Sequence, residues 1–153
     1  MAFAPNSKAR LTVKDLDRFA GTTLFDKLGR AVCAAGVLPR KELYEAWEVA
    51  KRVRRQFRGG RVMDLAGGHG LLAHAMLLLD DTSPYAIVVD TAVPPSAAKL
   101  HDALVAVWPR LAHRVKFRQG EIDCEELMMG LPEYWYEKLE VPEVHKGYIQ
   151  KTK

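Results

Sequence analysis

Between residues 12 and 57, apolar positions recur at helical spacing. Thr12 followed by Asp15 has the form of a capping box, which opens a helix by satisfying its free N–H groups. Leu24, Phe25, Leu28, Val32 and Ala35 share one face, and Gly36 can close that run in a left-handed cap. Gly21-Thr22 divides the region into two helices. Pro39 suits the first turn of a further helix reaching about Phe57, with Leu43, Trp47, Ala50, Val53 and Phe57 on its apolar stripe.

Gly59-Gly60 marks a change of rhythm. Arg61–Leu65 reads as a strand, Gly70–Leu79 as a helix, and Ala86–Val89 as a second strand ending at Asp90. A helix from about Ser96 to Trp108 puts Leu100, Leu104 and Val107 on one side, and Val115–Gln119 reads as a third strand. This β-α-β-α-β succession predicts an α/β fold with a parallel sheet and right-handed crossovers. The expected organisation is an N-terminal helical cap over 1–58, an α/β half-domain over 59–123 and an extended C-terminal arm over 124–153. The arm is rich in aromatic and charged residues, with a short helix expected near Glu133–Leu139.

Composition narrows the class without fixing it. The 153 residues are 48% hydrophobic and 27% charged, as suits a globular domain with a real core. A formal charge of +4 is too weak by itself to imply nucleic acid. Lys51, Arg52, Arg54, Arg55, Arg58 and Arg61 form a basic run that could grip phosphate. A solvated helix face, with cations favoured near a helix C-terminus, is the preferred reading. Cys33 and Cys124 lie too far apart for a zinc knuckle and suggest a reducing intracellular compartment, most simply the cytoplasm. The basic start, with Lys8, Arg10 and Lys14 before the first acid at Asp15, keeps an organelle (mitochondrion or plastid) as the alternative. No apolar run approaches the roughly 20 residues that span a bilayer.

The chemistry concentrates in Asp64-Leu-Ala-Gly-Gly-His-Gly70, placed between a strand and a helix. Glycines there allow positive φ and close backbone approach, and the helix that follows offers free N–H groups to a ligand. Asp90 ends the next strand, where a carboxylate can accept hydrogen bonds from both hydroxyls of a ribose. Gly68-His-Gly70-Leu-Leu-Ala73 also fits the dinucleotide pattern GxGxxG/A. Asp64 argues against that ligand, because its charge would sit beside an anionic pyrophosphate. A ligand carrying a sulfonium and an ammonium tolerates the acid well.

DLAGGHG is similar to motif I of the class I S-adenosylmethionine-dependent methyltransferases, (D/E)xGxGxG. Asp64, Gly68 and Gly70 match, and Ala66 replaces the first glycine of the pattern. The resemblance implies a Rossmann-like sheet and S-adenosylmethionine as cofactor. It places Asp64, Ala66, Gly67, Gly68, His69 and Gly70 around the methionine end, and Asp90 with Thr91 at the ribose. Glu121, or less well Asp123, would face the adenine amine. The resemblance covers roughly residues 60–123. His69 is expected to touch the cofactor and His74 to pack, while His101, His113 and His145 read as isolated. No catalytic residue and no metal site is recognisable.

Relative to that family the chain reads as truncated, since no second βαβ series is recognisable after Glu121. Leu131-Pro132-Glu133-Tyr134 resembles the family's fourth-strand motif only faintly. The first strand, central in that family, would then keep an open edge, which is an aggregation liability unless something covers it. A protein partner, a second copy or the C-terminal arm could do so, and Tyr134, Trp135, Tyr136 and Tyr148 have the character of interface anchors. Two functions remain open: an S-adenosylmethionine-dependent methyltransferase, or an inactive methyltransferase-like subunit that serves as an assembly component of a larger complex.

Overall fold

A computed structural model describes residues 3–65 and 67–121. The expected arm over 124–153, with its short helix and its aromatic anchors, lies outside the described residues, as do Ala66, Asp123 and Cys124.

Local signals set the first elements. Thr12 caps a 3-10 helix over Val13–Phe19, taking the Lys14 N–H at 3.3 Å while its own N–H donates to Asp15 at 3.0 Å. Helix α1 (Leu24–Ala35) opens on Thr23, whose hydroxyl accepts the Asp26 N–H, and stops at Gly36 with φ 68°. Helix α2 (Arg40–Gln56) starts directly after Pro39. Strand β1 (Val62–Leu65), helix α3 (Leu71–Leu79), strand β2 (Ala86–Asp90), helix α4 (Ala97–Val107) and strand β3 (Val115–Gln119) follow.

The fold is mixed α/β, with a parallel sheet in the order β1-β2-β3. Register pairs Val62 with Ala86 and Val115, and Asp64 with Val88 and Phe117. Because strand side chains alternate, these six share one face. Their apolar members join one contiguous core with α1, α2, α3 and α4, running from Leu11 to Phe117. The opposite face carries Met63, Leu65, Ile87 and Val89, which lie outside that cluster. Ile87 is 1% exposed and Val89 3%, whereas Leu65 is 39% exposed. Among the described residues β1 is an edge strand, as the sequence led us to expect.

One member of the basic run is not on a solvated face. Arg54 is 3% exposed and its guanidinium is used internally. Nε and Nη2 donate to the Met76 carbonyl at 3.0 and 2.9 Å, Nη2 also to Ser83 Oγ at 2.7 Å, and Nη1 to the Gly59 carbonyl at 3.2 Å. Asp80 completes the cluster 3.7 Å from Nη1 and accepts the Gly59 N–H at 2.6 Å. Burial opposes ionisation of Asp80, but the Gly59 and Thr82 donors and the Arg54 charge outweigh it and hold the carboxyl down at about 2. Arg54 therefore ties the end of α2 to the end of α3, while Arg52, Arg55 and Arg58 stay exposed.

Candidate ligand-binding site at the glycine turn

β1 delivers Asp64 to the floor of the turn, and its backbone continues into Gly67–Gly70. Three constraints explain the glycines. Gly68 (φ 53°) and Gly70 (φ 80°) adopt left-handed backbone, which a side chain disfavours. A Cβ on Gly67 would stand 2.6 Å from Val88 Cγ1 and 2.7 Å from Asp64 Oδ2, too close to fit. A Cβ on Gly70 would meet the Phe117 ring at 3.0 Å. Backbone bonds then pin the turn to the sheet: the Gly67 N–H donates to the Val89 carbonyl at 3.2 Å, and Gly120 to that of Asp90 at 2.9 Å.

Asp64 is 8% exposed, and its Oδ2 has no hydrogen-bond partner. Burial pushes its carboxyl up to about 6; the Ala73 N–H pulls the other way, and the Asp90 charge adds to the rise. The acid lines a cavity of about 290 Å³ between α2, the turn and the start of α3. Glu42 and Glu45 face it from α2, with Ala46, Val49 and Leu72 as apolar wall and His69 at the turn. Three carboxyl groups, one of them buried with an oxygen unmet and one, Glu45, already 3.5 Å from the Lys41 ammonium, favour a ligand that brings positive charge. The reading of the sequence did not include Glu42 and Glu45. They lie some twenty residues before the turn, and only packing of α2 against α3 brings them to it.

Asp90 is more committed than its sequence role implies. Its Oδ2 accepts the Gly68 N–H at 2.9 Å and its Oδ1 the Ala92 N–H at 3.1 Å, with the Thr91 hydroxyl at 3.5 Å. The Ala92 and Gly68 donors hold its carboxyl below the ordinary range. A carboxylate accepts about four hydrogen bonds. With the Thr91 N–H, four donors already face Asp90, so it shapes the turn, and a ribose hydroxyl would have to replace the long 3.5 Å contact from the Thr91 hydroxyl. Glu121 is exposed immediately after Gly120, beside the C-terminal end of β3.

The histidines divide differently from the expectation. His69 Nε2 stands 2.7 Å from Ser96 Oγ and so links the turn to the start of α4. His74 is fully buried, as a packing role requires. His101 is not isolated, because its Nδ1 lies 2.9 Å from His74 Nε2. Periodicity along one helix cannot reveal a contact between α3 and α4. Cys33 is buried in the core, and burial, reinforced by the Asp15 charge, pushes its thiol up to about 11, so it is no nucleophile at neutral pH.

Among the described residues, no cluster of three or more His, Cys, Asp or Glu could hold a metal, and no helix is long and apolar enough to cross a membrane. No protein-family model, curated protein or solved structure matches this chain.

Proposed function

We propose that the glycine turn binds S-adenosylmethionine and that the chain is a class I methyltransferase-like protein built on half of a Rossmann-like sheet. The observation that carries this reading is the unpaired, buried Oδ2 of Asp64 beneath the turn. A buried carboxylate with one oxygen unmet is costly, and a cationic ligand offsets that cost. S-adenosylmethionine supplies a sulfonium-bound methyl group and an ammonium, with no phosphate to clash with Asp64. Asp64, Glu42 and Glu45 would hold the methionine end, Gly67 and Gly68 would admit it, and Asp90 would take one ribose hydroxyl in place of the Thr91 hydroxyl.

Calorimetry with S-adenosylmethionine on the full chain is expected to show one saturable site, and no heat of binding would sink the proposal. Replacing Asp90 by Ala removes both the ribose acceptor and the carboxylate that holds the Gly68 N–H. The expected loss of affinity is at least ten-fold, and an unchanged dissociation constant would show the ribose assignment to be wrong.

A second reading has its own support. Asp90 is already engaged by its own turn, and β1 keeps an open edge among the described residues. Both features suit a methyltransferase-like subunit whose sheet is completed by another chain, with the arm or a second copy as the other covers. Sedimentation of the isolated protein separates these. A self-association that buries β1 supports the assembly role, whereas a soluble monomer at high concentration argues that the edge is paired within the chain.

A further inference from the structure

The pair of buried His74 and half-buried His101 behind the turn has no part in that reading, and its hydrogen-bond directions can be deduced. His74 Nδ1 lies 2.6 Å from the Gly70 carbonyl, which can only accept, so Nδ1 carries the proton. Burial pushes His74 down to about 4, and neighbouring His101 adds to that, although the Gly70 carbonyl opposes it. His74 is therefore neutral near pH 7, and its Nε2 has a lone pair. That lone pair must accept from His101 Nδ1–H across 2.9 Å. In neutral His101 the remaining nitrogen, Nε2, is then an acceptor with its lone pair free.

His101 lines an open slot of about 390 Å³, walled by Val93, Pro94, Pro95, Ala97, Ala98 and Phe117, with Asp102 at its exposed rim. The Phe117 ring stands nearly perpendicular to His101, with centroids 6.4 Å apart. Proline rings, alanine methyls and an aromatic ring make an apolar wall, and the imidazole supplies one fixed acceptor. Ligand sites commonly combine such a wall with a few oriented polar groups.

We propose that this slot is a second ligand site, for a planar heteroaromatic ring whose N–H donates to His101 Nε2. It shares no lining residue with the cavity at Asp64, so it stands whether or not the turn holds S-adenosylmethionine. The Gly70 carbonyl fixes His74, His74 fixes His101, and the slot thereby presents an acceptor rather than a donor.

Indole and 1-methylindole are suitable probes, alike in shape but differing in the donor. Titrating each into the full ¹⁵N-labelled chain, with the histidine side-chain and backbone amide signals as readout, is expected to show saturable indole binding that moves the His101 ring and the Phe117 amide. The methylated probe should bind about ten-fold more weakly, since it leaves the acceptor unmet. Ala98 is exposed, so Ala98→Trp should fill the slot without disturbing the fold and abolish both titrations. Equal affinity for the two probes, no saturable indole binding, or a proton on His101 Nε2 rather than Nδ1 near pH 7 would each overturn the assignment.

Discussion

Replacing Asp64 by Asn is expected to make the protein more stable and to abolish S-adenosylmethionine binding. Asp64 ionises near 6 in the folded chain, against an ordinary value of 3.8. The folded state therefore holds this proton more tightly than the unfolded one. The penalty for ionising it is absent below 3.8, grows between 3.8 and 6, and is complete above 6. A shift of this size corresponds to about 3 kcal/mol. Asparagine keeps a carbonyl for the Ala73 N–H and carries no charge, so it should recover about 1–2 kcal/mol at pH 7.5. That is roughly 3–6 °C in melting temperature for a chain of this size.

The same exchange removes the charge that a sulfonium or an ammonium would meet, so affinity should fall about a hundred-fold. Thermal melts at pH 7.5 and pH 4 check the first part, because the gain should nearly vanish at the lower pH. A variant that is less stable at pH 7.5, or one that binds as tightly as the parent, would refute the role given to Asp64.

Arg54→Met should have the largest effect on stability. Methionine fills much of the volume but abandons the carbonyls of Met76 and Gly59, the Ser83 hydroxyl and the Asp80 charge. Removing one partner of a buried, hydrogen-bonded ion pair costs about 3–5 kcal/mol, because the other stays desolvated. The melting temperature is expected to fall by roughly 10 °C or more. Exposed Arg55→Met, one residue along, should change it by no more than about a degree. Equal effects of the two substitutions in calorimetry would mean that the Arg54 cluster contributes little.

Much of this fold was legible because its signals are local. Thr12 with Asp15, Gly36 and Pro39 act within a few residues of themselves, and β3 occupies Val115–Gln119 as its alternation implies. Arg54 departs from the solvated helix face expected for the basic run. It lies seven residues after Trp47 and four after Ala50, on the buried side of α2, so register alone could have found it. The glycine turn and Asp64 were visible as a motif. The acids of α2, the capture of Asp90 by Gly68 and the pairing of His74 with His101 were not. Each depends on elements twenty or more residues apart meeting in space, which no local pattern encodes.

The Phe117 ring, which leaves no room for a Cβ on Gly70, ties the site to β3. Phe117 also walls the slot beside His101, and Gly120, just past β3, holds the Asp90 carbonyl. Among the described residues β3 is paired on one side only, and a strand so placed opens more readily than one paired on both. Fraying of β3 would therefore loosen the turn and unmake the slot in one event, and a ligand held at either place would slow amide exchange in β3.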